Sequence, residues 1–146
     1  MKCLAVIDTN VLVSALLSSR DDAATVQVVE SVFSGSIVPL YSGPILAEYR
    51  EVLHRRKFGF SAELAEHLIS AVEKFGISVD PGPMQFSLPD VKDLPFYAVK
   101  MEKRDEGAYL VTGNLKHFPK EPFIVTPREL LEVLTGGTDD GPESSL

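Results

Sequence analysis

The chain predicts a three-layer α/β sandwich built on a parallel sheet of about five strands. Three observations carry this. Short strand-like apolar runs alternate with segments of helical spacing, the pattern of parallel strands joined by crossover helices. The first run, Leu4-Ala5-Val6-Ile7, is apolar throughout and stops at Asp8, after which a second apolar stretch begins at once. A buried strand that ends in a carboxylate places it at the carboxyl edge of the sheet, where ligands sit in open α/β folds. Finally, 146 residues fit one domain with a full core, without help from disulfides or a structural metal.

Taken in order, residues 2–7 are predicted as a buried strand, and helical segments are expected over 11–17 and 23–33, divided by the polar stretch Ser18-Ser19-Arg20-Asp21-Asp22. Residues 37–41 read as a short strand. Its Pro39 lacks a ladder N–H, which predicts an exposed register or a bulge. Ser42-Gly43-Pro44 announces a helix, with Pro suited to the first turn. Ile45, Leu46, Tyr49, Val52 and Leu53 keep helical spacing, and the helix is expected to run on through the basic residues 54–57 to Phe58-Gly59-Phe60. Another helix opens at Ser61 and reaches about Phe75, with Gly76 as its stop. Residues 77–79 form a short strand and Pro81-Gly82-Pro83 a loop. A helix starts around Asp90 to Asp93 and runs to about Lys103. Residues 108–111 are a strand ending at Thr112-Gly113-Asn114, residues 123–125 are the last strand, and Thr126 caps a final helix to Leu134. The domain thus spans 1–134, and the Gly-, acid- and Ser-rich 135–146 is expected to be a disordered tail.

No apolar run approaches ~20 residues, so no membrane-spanning helix is expected. The start lacks the pattern of a signal peptide, and the single cysteine, Cys3, allows no internal disulfide; a reducing cytoplasm is the expected setting. Cys3 itself reads as a small buried residue of the first strand. The formal net charge of -7 argues against a broad nucleic-acid-binding surface. Basic residues nevertheless cluster at Arg50-His54-Arg55-Arg56-Lys57, Lys100-Lys103-Arg104 and Lys116-His117-Lys120. These are either solvated helix faces or phosphate contacts around an acidic centre. Carboxylates gathered for a cation pull the total negative, so the sign of the sum decides little.

Three carboxylate positions sit where chemistry could use them. Asp8 follows the first strand, Glu48 lies at the margin of the buried stripe of its helix, and Asp93 stands at a helix N-terminus with Asp90 three residues before it. The strand ending at Val111 delivers Thr112 and Asn114 to the same sheet edge as Asp8. Each has a plainer reading: Asp8, Asp90 and Asp93 as helix caps, Glu48 as a solvated partner of basic neighbours, Asn114 as a turn residue. Taken together they describe carboxylates that stay ionised only if a cation or base compensates them. Oxygen donors with little His or Cys suit Mg²⁺ or Mn²⁺, which clamp the oxygens of a phosphodiester and activate a water. His54, His67 and His117 have no zinc-type spacing, and no Walker-type glycine loop or GxGxxG is present.

Val6-Ile7-Asp8-Thr9-Asn10-Val11-Leu12, Ser42-Gly43-Pro44-Ile45-Leu46-Ala47-Glu48-Tyr49, Asp90-Val91-Lys92-Asp93-Leu94-Pro95-Phe96-Tyr97-Ala98 and Tyr109-Leu110-Val111-Thr112-Gly113-Asn114, in this order, resemble the PIN domain family. The similarity extends to Ile124-Val125-Thr126-Pro127-Arg128-Glu129-Leu130 and covers roughly residues 3–134. The resemblance implies an α/β/α sandwich with strand order 3-2-1-4-5, metal-dependent cleavage of RNA, a role as the toxin of a toxin–antitoxin pair, and a homodimer. It implies Asp8, Glu48 and Asp93 as catalytic metal ligands, with Asp90 as a less constant acidic position. Thr9, Asn10 and Thr112 would hold the carboxylates by hydrogen bonds. Many relatives carry Asp where this chain has Asn114, whose amide oxygen accepts from a metal-bound water but adds no charge. On a nuclease, Arg50, Arg55, Lys92 and Lys116 become the first candidates for RNA phosphate contacts. Two other classes compete: a module of this fold that binds RNA or a protein without cutting, and a phosphotransfer domain. The last fits poorly, because a dehalogenase-like Asp-x-Asp would need an acid at Asn10.

Overall fold

The computed structural model describes residues 2–83, 88 and 91–136. Five parallel strands form one sheet in the order β3-β2-β1-β4-β5: β1 (Cys3–Ile7), β2 (Ile37–Tyr41), β3 (Ile77–Ser78), β4 (Tyr109–Val111) and β5 (Ile124–Val125). The helices are α1 (Thr9–Leu17), α2 (Ala24–Ser34), α3 (Gly43–Leu53), α4 (Ala62–Phe75), α5 (Leu94–Glu102) and α6 (Pro127–Leu134). The first three strands step outward in one direction and β4 returns to the far side of β1. Right-handed crossovers therefore put α5 on the face opposite the earlier connections. In keeping with this, α5 packs on β1, β2 and β4, whereas α2 and α4 pack on β2 and on each other.

The central strand explains the opening motif. Ala5, Val6 and Ile7 are fully buried, as a strand covered on both faces requires. Ala5, Val6 and Ile7 align with Tyr109, Leu110 and Val111 of β4, and the ladder ends with Asp8 N–H donating to the Val111 carbonyl at 3.0 Å. Asp8 and Thr112 thus emerge side by side where the strand order reverses, the switch point at which such sheets bind ligands. From α3, the fully buried Tyr49 donates its hydroxyl to the Ile7 carbonyl and so fixes the strand end from below. Cys3 is buried as expected, and burial pushes its thiol up to about 11, which removes it as a nucleophile.

Several boundaries differ from the sequence reading. Pro39 is buried, in a strand flanked on both sides, opposite Ala5 and without a bulge. Its ring nitrogen lies on the same side of the strand as its carbonyl, and that carbonyl faces Gly76, one residue before β3 begins. The missing donor therefore falls where there is no ladder yet to complete. Gly76 ends α4 in an extended conformation (φ -106°, ψ -172°) rather than as a left-handed cap. It is glycine because of close approach: a Cβ there would lie 2.2 Å from the Pro39 oxygen and 2.5 Å from that of Val72. Both are backbone atoms, so Gly76→Ala is expected to destabilise the fold by about 1–3 kcal/mol, read as a lower urea midpoint at unchanged m-value.

Helix α3 stops at Leu53, short of the basic run, and Arg56–Phe58 forms a separate 3₁₀ turn closed by Gly59 at φ 70°. Similarly, Val91–Asp93 is a 3₁₀ turn and the α-helix proper starts at Leu94, with Pro95 in its first turn. The N-terminus of α6 is the expected one: the Thr126 hydroxyl accepts from Glu129 N–H and the Glu129 carboxylate accepts from Thr126 N–H. Asp90 and the tail from 137 onward lie outside the described residues.

Candidate metal centre

Asp8, Thr9, Asn10, Glu48, Asp93 and Asn114 line one cleft of about 270 Å³ at the carboxyl edge of the sheet. Four separate stretches of chain meet there: the end of β1, the middle of α3, the turn before α5 and the turn after β4. Two larger hollows elsewhere have mainly apolar linings and include none of the three carboxylates.

Asp8 is 6% exposed. It stands at the N-cap position of α1 but makes no side-chain capping bond, so the capping alternative does not hold. Its Oδ2 instead accepts from Thr112 Oγ1 at 2.7 Å and from Asn10 Nδ2 at 3.0 Å. These partners are themselves held: Asn10 Oδ1 accepts from Gly113 N–H at 3.2 Å and Thr112 Oγ1 from Asn114 N–H at 3.0 Å. One network therefore orients Asp8 and sets the path of the loop that carries Asn114. Burial pushes the Asp8 carboxyl above its usual range, against the hydrogen bonds and the charge of His117, which act the other way. Glu48, half-buried on α3, is also pushed up, by burial and then by its neighbour Glu51 and by Asp8, with Lys92 and Arg55 opposing. Both carboxylates are raised chiefly by burial, and Asp8 adds a smaller push on Glu48, so the cleft would welcome positive charge. Asp93 is 9% exposed and faces His117, whose Nδ1 lies 3.5 Å from Asp93 Oδ2; it too makes no side-chain capping bond.

The donor chemistry fits a hard divalent cation, because carboxylate and amide oxygens dominate. The Thr9 hydroxyl adds to the fit: it lines the cleft buried and without a hydrogen-bond partner among the described residues, where a cation's water shell would satisfy it. As they stand, no three His, Cys, Asp or Glu side chains among the described residues are close enough to enclose an ion. The carboxylates line the cleft without clasping a single point.

The basic candidates divide. Arg55 and Lys92 line the cleft, with Arg55 bound at 2.9 and 2.7 Å to Glu51 one turn earlier. Arg50 is not brought there; it reaches Glu66 on α4, which also bonds His54 at 2.7 Å. Lys116 lines a neighbouring apolar hollow with Leu115 and Phe118. Sequence reasoning missed His117 and Phe58, which also line the cleft. His117 was legible only as part of a basic cluster, although its place three residues after Asn114 was the available signal.

A model of the PIN domain family matches residues 4–116, from β1 into the turn that follows Asn114, and ends one residue before His117. The match includes Asp8, Glu48, Asp93 and Asn114 and stops before β5 and α6. No curated protein and no solved structure matches the chain. With the family's motifs in order, and its strand order 3-2-1-4-5 in the sheet, this chain belongs to the PIN domain family, whose members are generally nucleases that use a divalent metal.

Proposed function

We propose that the chain is an Mg²⁺- or Mn²⁺-dependent endoribonuclease that hydrolyses phosphodiester bonds of single-stranded RNA. The observation that carries this reading is the meeting of Asp8, Glu48, Asp93 and Asn114, from four stretches of chain, in one cleft at the switch point. Asp8, Glu48 and Asp93 would hold the cation, Asn114 would accept a hydrogen bond from its water shell, and Asp90 is a further acidic candidate. A bound cation supplies charge stabilisation at the phosphoryl oxygens and an activated water.

The chain's own residues do the rest. Asn10 and Thr112 fix Asp8 so that Oδ1 is the oxygen not committed to them. Thr9 offers its hydroxyl to the cleft. Arg55 and Lys92 at the rim offset phosphate charge, and of the four basic candidates these two are the ones the cleft favours. Replacing both with Ala is expected to weaken RNA binding and to lower the salt slope by about 0.7 per lost contact. Replacing Arg50 and Lys116 should leave the slope unchanged, and titrations at several ionic strengths separate the pairs. The same reading extends to a cytoplasmic homodimer acting as the toxin of a toxin–antitoxin pair, which co-purification with the product of the adjacent reading frame and the mass in solution would test.

Cleavage of single-stranded RNA with Mn²⁺, wild type against Asp8→Asn, tests the activity. Equal cleavage by both rejects the site, and no cleavage by either rejects the activity. A second reading is favoured by the uncharged Asn114 and the unclosed carboxylates: a module that binds RNA or a protein without cutting. RNA affinity retained without Mn²⁺ binding in calorimetry is its signature.

A further inference from the structure

We propose that His117 is a nitrogen donor to the cation of this cleft, an inference that rests on the metal-dependent reading above. The sequence offers only oxygens at the positions expected to bind metal, yet the fold adds an imidazole to them. His117 ends the 3₁₀ turn Leu115–His117, which starts directly after Asn114, and it lines the cleft with Asp8, Glu48 and Asp93.

The turn is built to hold it there. Asn10 and Thr112 pin Gly113 and Asn114, His117 N–H donates to the Asn114 carbonyl at 3.0 Å, and Phe118 buries itself behind the turn. The backbone from which the ring projects is therefore held by the same network that orients Asp8.

The ion pair with Asp93 is a loose one and leaves the ring in the lining of the cleft. At 3.5 Å the Nδ1–Oδ2 contact is longer than a formed hydrogen bond, and the imidazole is 41% exposed. The ring is near the carboxylate without being consumed by it. Nδ1, the nitrogen that faces Asp93 Oδ2, is the donor, so imidazole and carboxylate flank the same ion. Asn114 contributes no charge, so a further donor from the same turn adds to a cleft in which the His, Cys, Asp and Glu side chains of the described residues do not yet enclose an ion, and a bound cation would have to draw His117 in together with the carboxylates. A nitrogen ligand shifts preference from Mg²⁺ toward Mn²⁺, which accepts imidazole more readily.

Pulsed electron paramagnetic resonance on the full chain loaded with Mn²⁺ tests the assignment without any turnover. Wild type is expected to show modulation from a directly bound ¹⁴N that changes to the ¹⁵N pattern after selective labelling of histidine. His117→Gln should lose that signal and bind Mn²⁺ about tenfold or more weakly, with a smaller change for Mg²⁺. Mn²⁺ bound in an Asp8-dependent way without nitrogen modulation overturns the proposal and leaves the metal site intact. Modulation that survives His117→Gln also overturns it. If wild type binds no Mn²⁺, or binds it equally well after Asp8→Asn, the underlying metal reading fails and the assignment fails with it.

Discussion

Asp8→Asn is expected to lower RNA cleavage by on the order of a thousandfold while leaving the metal-free protein as stable as wild type or more so. The two halves of this result have one cause. The Asp8 carboxylate is 6% exposed, and burial outweighs the bonds from Thr112 and Asn10, so its proton affinity is higher folded than unfolded. A carboxyl raised in this way contributes stability below its unfolded pKa and loses it as pH rises through the folded value. At neutral pH the ionised group is therefore a cost to the metal-free fold. Asparagine removes the charge, and its Oδ1 can still accept from Thr112 and Asn10, so the network survives. The expected measurements are cleavage rates with Mn²⁺ and thermal midpoints in chelator at neutral pH. A variant that loses activity only because it unfolds would show a lower midpoint instead.

Glu121→Ala, well away from the cleft, is expected to destabilise the fold by about 3–5 kcal/mol. Lys100 on α5 is 4% exposed, and its Nζ lies 2.7 Å from Glu121 Oε1, while the Tyr97 hydroxyl donates to Glu121 Oε2. Removing the carboxylate leaves the buried Lys100 ammonium without its counter-charge and takes an acceptor from the Tyr97 hydroxyl. Burial pushes the Glu121 carboxyl up, but the Lys100 and Tyr97 bonds prevail and hold it below its usual range; burial and the Glu121 bond push Tyr97 up to about 12. For a carboxyl lowered on folding, the contribution is present above its unfolded pKa and lost as pH falls through the folded one. The wild-type advantage over Glu121→Ala should therefore shrink on acidification. Replacing the charged pair together, Lys100→Met with Glu121→Leu, should restore most of the stability, because the loss comes from stranding one charge and not from lacking the pair. Urea denaturation of the single and double variants decides this.

The sequence reading was strongest where one physical demand governs a whole segment. β1 must be apolar on both faces, and its abrupt end at Asp8 located the sheet edge. Thr126-Pro127-Arg128-Glu129 carries its capping box locally. Boundaries failed where tertiary contacts decide. Pro39 sits in an interior strand because Gly76, thirty-seven positions later, leaves room for its carbonyl and because β3 starts late. The basic run after Leu53 looked continuous with its helix, but Arg55 turns back to Glu51 and Gly59 closes a separate turn. At the site, Asp8, Glu48, Asp93, Thr112 and Asn114 were legible from their positions at the ends and margins of elements. The destinations of the cations were not, since Arg50, Arg55 and Lys116 differ only in which acid or hollow the fold sets beside them. His117 was hidden for the same reason, its neighbours in sequence being lysine and phenylalanine and its neighbour in space Asp93.

Crystals of the full chain soaked in Mn²⁺ and measured for anomalous scattering give the most direct test of a shared cation. A peak in the cleft at about 2.1 Å from oxygens of Asp8 and Asp93, with Glu48 drawn to it, is the predicted result. Mn²⁺ density confined to other surfaces, with the three carboxylates unmoved at saturating metal, would contradict it.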